Sequence, residues 1–365
     1  MAYKFRMPGG PTTASSSPTP ADNWLVSFEQ GTGRIGYAAN SDRTSWTTYK
    51  RQSGNATAFC GAYGKDGSGN GLFLIGQSST SADLVFRTEA DIGTDSVWTS
   101  KNLSISSGGR LRAACWGNDS TDSTSGVWFI CSSSGNVFIS TNGGANWTKK
   151  VSGDLGNGAN NDTIFTIAGN GSGHFAYGQE DRFHISTNDG STFSSSTPLG
   201  AGVDKIVGIA YTNNTWVVTY SKDGEANLFL KSAASSDITT WSSEVDLGIA
   251  KPVANDNGDF NTGGNSKIAA YDGRCVIMSN RVSAIARIDV NGTSTSGLAN
   301  PTITNSGAKA LSTDGNTWML GADGGDIFES TDSGETWSET VTNISPGGTS
   351  GEDITVVVAG VYQPL

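Results

Sequence analysis

The sequence predicts an all-β chain built from seven copies of one multi-stranded unit, and three observations carry that expectation. A turn phrase ending in an aromatic recurs, the aromatics keep one spacing, and the two ends of the chain complement each other. The phrase is clearest at Ser330-Thr331-Asp332-Ser333-Gly334-Glu335-Thr336-Trp337. It recurs at Ser140-Thr141-Asn142-Gly143-Gly144-Ala145-Asn146-Trp147 and at Ser186-Thr187-Asn188-Asp189-Gly190-Ser191-Thr192-Phe193. Each copy follows an alternating apolar run (NVFIS, RFHIS or DIFES), which is the pattern of a half-buried strand. Asp or Asn accepts hydrogen bonds from nearby backbone N–H groups, and Gly supplies the positive φ of a tight turn. The turn residues singled out are Ser140, Asn142, Gly144 and Trp147, then Ser186, Asn188, Gly190 and Phe193, then Ser330, Asp332, Gly334 and Trp337.

Two shortened phrases share one form, Ser41-Asp42-Arg43-Thr44-Ser45-Trp46 and Ser236-Asp237-Ile238-Thr239-Thr240-Trp241, and a weaker one ends in Asp95-Ser96-Val97-Trp98. From Trp46 through Trp98, Trp147 and Phe193 to Trp241 the gaps are 52, 49, 46 and 48 residues. The next, from Trp241 to Trp337, is 96 residues, or two periods. One turn is therefore expected to have decayed near residue 289, where RIDVNGTSTSG carries no aromatic. Repeats of this length with several short strands each point to a β-propeller, here with seven blades.

A second register agrees. Strands are expected to open at Trp24, Leu72, Val127, His174, Trp216, Arg274 and Trp318, and an apolar run precedes all but the first. PTTASSSPTPAD, before Trp24, cannot make the missing strand, whereas Asp353-Ile354-Thr355-Val356-Val357-Val358-Ala359-Gly360 can. A C-terminal strand is thus expected to close the first blade, which removes an edge that would otherwise template aggregation.

The pattern Ser-x-Asp-x-Gly-x-Thr-Trp resembles the Asp-box, or BNR repeat, of sialidases, sortilin-type receptors and photosystem II assembly factors. The resemblance spans residues 22–360 and implies a sialidase-like propeller whose boxes are outer turns holding each blade together. Residues 1–21 are read as an extended Pro/Ser/Thr-rich arm and 22–365 as the propeller.

Composition narrows the function. Charged residues make up 16% of the chain, Gly numbers 49, and the net charge is −11. Such a surface does not neutralise phosphates, so no nucleic-acid partner is expected. No apolar stretch approaches the ~20 residues that span a bilayer, and the N-terminus lacks the apolar core of a signal peptide. Synthesis in a cytoplasm without secretion, and no membrane insertion, are expected. Cys60, Cys115 and Cys275 sit inside apolar runs and, with Cys131, form no CxxC pair, so buried thiols are expected rather than metal ligands or disulfides.

Candidate chemistry is sparse. Phe5-Arg6-Met7-Pro8 looks like the sialidase motif whose Arg clamps the substrate carboxylate. Here it runs into GGPTTASSSPTP rather than a strand. Arg87, Arg112, Arg182, Arg281, Tyr220 and Tyr271 follow no local pattern that would complete such a site. His174 and His184 read as packing or surface residues. Asp256-Asn257-Gly258-Asp259 and Asp323-Gly324-Gly325-Asp326 are acidic, but neither offers the bidentate Glu of a calcium loop and both read as solvated turns. Asn55-Ala56-Thr57 and Asn343-Ile344-Ser345 match the glycosylation pattern by chance in so Asn/Ser/Thr-rich a chain. No enzyme activity, catalytic residue, metal or cofactor is expected.

The composition is similar to that of bacteriophage tail and appendage proteins. That resemblance implies a structural or adhesive propeller of a virion. Its arm residues Tyr3, Phe5, Arg6 and Met7 would dock it to other virion proteins, and a host surface glycan is a further expected partner. A glycan-binding or glycan-cleaving propeller, and a cellular assembly factor, are the alternatives.

Overall fold

The computed structural model describes residues 23–28, 34–50, 57–78, 83–88, 92, 98–105, 110–120, 126–150, 164–196, 199–251, 268–279, 285–303, 307–344 and 352–360. The chain is an all-β propeller. Its described strands form seven four-stranded antiparallel sheets.

Sheet 1 holds β1 (Asn23–Phe28), β2 (Arg34–Ala39) and β3 (Asp42–Lys50). Sheet 2 holds β4 (Thr57–Lys65), β5 (Gly71–Ser78), β6 (Asp83–Thr88) and β7 (Thr99–Asn102). Sheet 3 holds β8 (Leu111–Gly117), β9 (Val127–Ser132), β10 (Val137–Ser140) and β11 (Thr148–Lys149). Sheet 4 holds β12 (Ile164–Gly169), β13 (Phe175–Gln179), β14 (Arg182–Ser186) and β15 (Ser194–Ser196). Sheet 5 holds β16 (Val203–Thr212), β17 (Thr215–Lys222), β18 (Asn227–Ala234) and β19 (Val245–Ala250). Sheet 6 holds β20 (Ile268–Tyr271), β21 (Arg274–Met278), β22 (Ile285–Asn291) and β23 (Ser294–Ala299). Sheet 7 holds β24 (Ala308–Thr313), β25 (Trp318–Ala322), β26 (Ile327–Ser330) and β27 (Ser338–Val341). The last strand, β28 (Ile354–Ala359), completes sheet 1 as its inner strand by pairing antiparallel with β1, Val26 opposite Val357.

The expected strand openings fall within one residue of those observed, because each marks the end of a tight turn. Second strands such as VWFICS are buried at every position, so they read as continuous apolar runs rather than alternating ones. The inner strands β4, β8, β12, β16, β20, β24 and β28 each touch the next, and β28 touches β4. Seven buried apolar clusters alternate with the sheets. One, for example, joins Trp24 and Val26 of sheet 1 to Met319 and Ile327 of sheet 7. Stability is thus distributed around a ring, and each cluster depends on two neighbouring sheets.

Near residue 289, where the turn phrase is missing, β22 and β23 are joined by the two-residue turn Gly292-Thr293, with Asn291 opposite Ser294 and Gly292 at φ +58°. A residue with positive φ is what such a short hairpin needs.

In an antiparallel meander the first and third turns of a sheet lie at the same end. All the aromatic-ended turns are third turns, so they share one face of the ring with the first turns; this is the turn face. Asn23 and Gly360 meet there too, the Gly360 N–H donating to the Asn23 carbonyl at 2.9 Å.

Candidate functional site

The three full turns have one geometry. The Ser140, Ser186 and Ser330 hydroxyls accept from the N–H of Gly144, Gly190 and Gly334 at 2.9, 2.9 and 2.8 Å. The same hydroxyls donate to Asn142, Asn188 and Asp332 at 3.0, 2.8 and 2.7 Å. Those side chains in turn accept from the N–H of Asn146, Thr192 and Thr336 at 2.9, 3.0 and 2.9 Å. Two successive left-handed residues make the bend: Gly143 and Gly144, Asp189 and Gly190, Ser333 and Gly334. The ring N–H of Trp147 and Trp337 then donates to the carbonyl of Gly144 and Gly334 at 2.9 and 3.2 Å. Trp46 and Trp241, in the shortened phrases, do the same to Arg43 and Ile238, both at 2.8 Å. Phe193 has no such donor and is instead buried, edge-on to Phe129 and Tyr177. The four tryptophans are only half-buried. The polar atoms of these turn residues are therefore occupied in holding the turn.

Each full turn also leans on the preceding sheet. A Cβ at Gly190 would lie 2.1 Å from Phe129, and one at Gly334 would lie 2.6 Å from Val276. The Asp189 carboxylate accepts from the Ser120 N–H and hydroxyl at 2.7 and 2.6 Å. Lys150 donates to the Ser191 carbonyl at 3.0 Å. Arg287 of sheet 6 donates to the Ser333 carbonyl at 3.2 Å and pairs with Glu335 at 3.1 Å. Between sheets 1 and 7, Arg43 pairs with Glu329 at 3.1 Å. Sequence reading missed these contacts because their partners are far apart along the chain.

Two turn carboxylates titrate low. Hydrogen bonds from Thr239 and Thr240 bring Asp237 down to about 2. Burial pushes Asp332 up, but hydrogen bonds from Thr336 and Ser330 outweigh it and hold the carboxyl below its ordinary value.

The other candidates are spread over the ring. Arg112 is buried over the Phe59 ring on sheet 3, Arg182 is on sheet 4, Tyr220 on sheet 5 and Tyr271 on sheet 6. The Tyr220 hydroxyl donates to Glu244 at 2.7 Å, and Lys222 pairs with the same carboxylate at 2.9 Å. Burial, then the hydrogen bond to Glu244, drives the phenol far above its ordinary pKa, which keeps its proton on the Glu244 bond. His184 is fully buried and stacks flat on Tyr177 with ring centres 4.4 Å apart, a packing role. All four cysteines are free thiols. Burial pushes Cys60 up to about 12, far from the reactive thiolate range. In the acidic turn at Asp323–Gly325 the Asp323 carboxylate accepts from Gly307 N–H at 3.2 Å and pairs with Lys309 at 3.0 Å, while Asp326 accepts from Asn343 N–H at 3.1 Å. Among the described residues no cluster of three or more His, Cys, Asp or Glu is arranged to hold a metal. Tyr3, Phe5, Arg6 and Met7, with Arg281 and the loop Asp256–Asp259, lie outside the described residues, as do the side chain of Arg87 and residues 95–97 before the buried Trp98.

One cavity of about 270 Å³ occupies the axis of the ring, lined by the turn-face ends of the inner strands. Tyr63, Trp116 and Tyr211 stand at the strand ends, and Ala62, Cys115, Ala168, Ala210 and Ser312 form a belt of small residues below them. Among the described residues that line it, none is charged.

No family model matches the chain, and no curated protein matches it. Solved structures do. The Cps50 (Swd1) β-propeller domain of Myceliophteria thermophila is 9% identical with a TM-score of 0.56, over 87% of this chain and 96% of that one. A chain of the mitotic checkpoint complex is 9% identical with a TM-score of 0.53, over 88% and 94%. YCF48 bound to D1 peptide is 16% identical with a TM-score of 0.49, over 80% and 83%. At such identities the likeness establishes the propeller fold alone.

Proposed function

We propose that the protein is a non-enzymatic structural and adhesive module of a virus particle, a bacteriophage tail or surface appendage. The seven sheets act as seven blades of an Asp-box propeller. One observation carries the reading: the Ser and Asn or Asp side chains of the three full turns bond within the turn, and the turns are fastened to the preceding sheet. That is the organisation of a rigid spacer. A low-charge, Gly/Ser/Thr/Asn-rich chain suits a part exposed on a particle, and it agrees with the bacteriophage resemblance. Other virion proteins are the partners, engaged through the arm that carries Tyr3, Phe5, Arg6 and Met7, with a host surface glycan as the adhesive target.

The test is quantitative mass spectrometry of density-purified particles from cells carrying the gene, with and without residues 1–21 of this chain. Recovery at a fixed stoichiometry that the deletion abolishes is the expected result. Absence of the full-length chain from particles, or glycoside turnover by the purified protein, would overturn the reading.

A further inference from the structure

Asp314 is fully buried and forms no ion pair with a described residue. It stands in the first turn of sheet 7, between β24 and β25. Its Oδ1 accepts from the N–H groups of Asn316 and Thr317 at 2.8 and 2.6 Å, so that oxygen holds the turn. Its Oδ2 is buried as well and accepts from no described group. Water solvates a carboxylate far better than protein does, so buried charges are paired or bound to metal.

The neighbour from sheet 6 is Tyr271, at the end of β20. A Cβ on Gly315 would lie 2.9 Å from Cζ of Tyr271 and 3.0 and 3.1 Å from its two Cε atoms, so the hydroxyl end of the ring rests on the Asp314 turn. Asp272 follows in the two-residue turn Asp272-Gly273, whose residues are both left-handed, at φ +47° and +77°. Two bonds pin that turn. Gly273 N–H donates to the Thr212 hydroxyl at 2.9 Å, and its carbonyl accepts from Val290 N–H at 2.7 Å. Burial, then the charges of Asp272 and Asp314, raise the pKa of the Tyr271 phenol, which therefore lies in the field of both acids. Asp272 is exposed, Tyr271 half-buried and Asp314 buried, so solvent reaches the group from the Asp272 side.

From this geometry we propose that Asp314 and Asp272, with the Tyr271 hydroxyl beside them, bind a calcium ion on the turn face between sheets 6 and 7. All the donors are oxygens, which suit a hard cation rather than zinc or copper. The ion supplies the buried Oδ2 with the opposite charge it lacks. Ca²⁺ accepts irregular geometry and completes its shell with water, whereas Mg²⁺ demands a near-ideal octahedron. Two carboxylates place the site at the weak end for calcium, with a Kd on the order of 10⁻⁴–10⁻³ M. No local acidic motif announces it, because the carboxylates come from turns of neighbouring sheets. The site is independent of the proposed particle role, and would tie sheet 6 to sheet 7 in any setting.

The experiment titrates the full chain with Tb³⁺, excites its tyrosine and tryptophan, reads the sensitised terbium emission, and then competes with Ca²⁺. Emission should saturate, and Ca²⁺ should displace it where K⁺ at equal ionic strength does not. Asp314→Asn keeps an oxygen for the Asn316 and Thr317 N–H groups but removes the charge, and should weaken binding about tenfold or more. Asp272→Asn, at an exposed residue, should weaken it severalfold. Asp223→Asn, in the exposed turn after β17 on the other face, should leave it unchanged. Ca²⁺ should also raise the melting temperature of the parent and not that of Asp314→Asn. Should Asp314→Asn fail to fold, the contrast between Asp272→Asn and Asp223→Asn decides. No saturable emission, or equal affinity in those two variants, would overturn the site.

Discussion

Sheets 6 and 7 are neighbours that hold their outer strands in different ways. In sheet 7 the turn before β27 wedges Gly334 against Val276, receives Arg287 on the Ser333 carbonyl, and folds Trp337 against the buried cluster between the two sheets. In sheet 6 the turn before β23 is two residues long and carries no aromatic. It reaches the preceding sheet through one described hydrogen bond, from Gly292 N–H to the Thr215 hydroxyl at 2.7 Å. Five of the six β23 residues are exposed, and Leu298, 40% exposed, is the sole exposed large apolar side chain among the described residues. Both sheets nevertheless have four paired strands. Strand pairing alone therefore suffices to add the outer strand, and what the full turn adds is a tie to the sheet before it.

Substitutions can break that distinction. Gly334→Ala should be the costliest, because it combines a left-handed residue, worth about 1–2 kcal/mol, with overpacking against Val276, worth about 1–3 kcal/mol. Gly292→Ala should cost only the first part, about 1–2 kcal/mol, because its Cβ would make an ordinary 3.8 Å contact with Ala234. Urea unfolding of the two variants reads the difference directly, and equal losses would remove the distinction. Trp337→Ala should lie between them at about 2–3 kcal/mol, under the ~3–5 kcal/mol of a fully buried ring. Trp46→Ala and Trp241→Ala should match it if the shortened turns work alike.

The smallest effect concerns acid. The folded-state pKa of Asp332 is depressed, so its contribution to stability is present above the unfolded pKa and is lost as pH falls through the folded one. Asp332→Asn supplies the amide already found at Asn142 and Asn188, and should flatten that acid limb by less than about 1 kcal/mol, given the exposure of the site. Melting temperatures of parent and variant, compared from neutral pH down to the acid transition, give the measure. An unchanged acid limb would show that the carboxylate is idle.

Much of the fold was legible because its signals are local. Tight turns announce themselves through Gly, Asn and Asp, so the strand starts at Val127, Arg274 and Trp318 fell where the sequence reading put them. The 96-residue gap between Trp241 and Trp337 correctly marked a sheet lacking the turn phrase. What stayed hidden joins sheets. Ser120 and Asp189 stand 69 residues apart, Arg43 and Glu329 stand 286 apart, and periodicity reports which face of a strand is apolar but not which sheet will cover it. The cavity was invisible for the same reason, since its wall takes three residues from each of six inner strands and one from β20. The half-burial of Trp147 and Trp337 has no local signal in the sequence, because it follows from each indole spending its N–H on a carbonyl three residues back and so lying along the turn's surface.

The meeting of Asn23 and Gly360 on one face has a mechanical consequence. β1 and β28 are antiparallel, and the ends of the described chain, Asn23 and Gly360, lie at the same end of that pair. A force pulling those ends apart would load the hydrogen bonds one at a time, as in opening a zip, starting from the Gly360–Asn23 bond. A force applied through a single end against the body of the ring would not separate the pair in that way. The same molecule is thus fragile as a link in series and sturdy as a part hung from one tether.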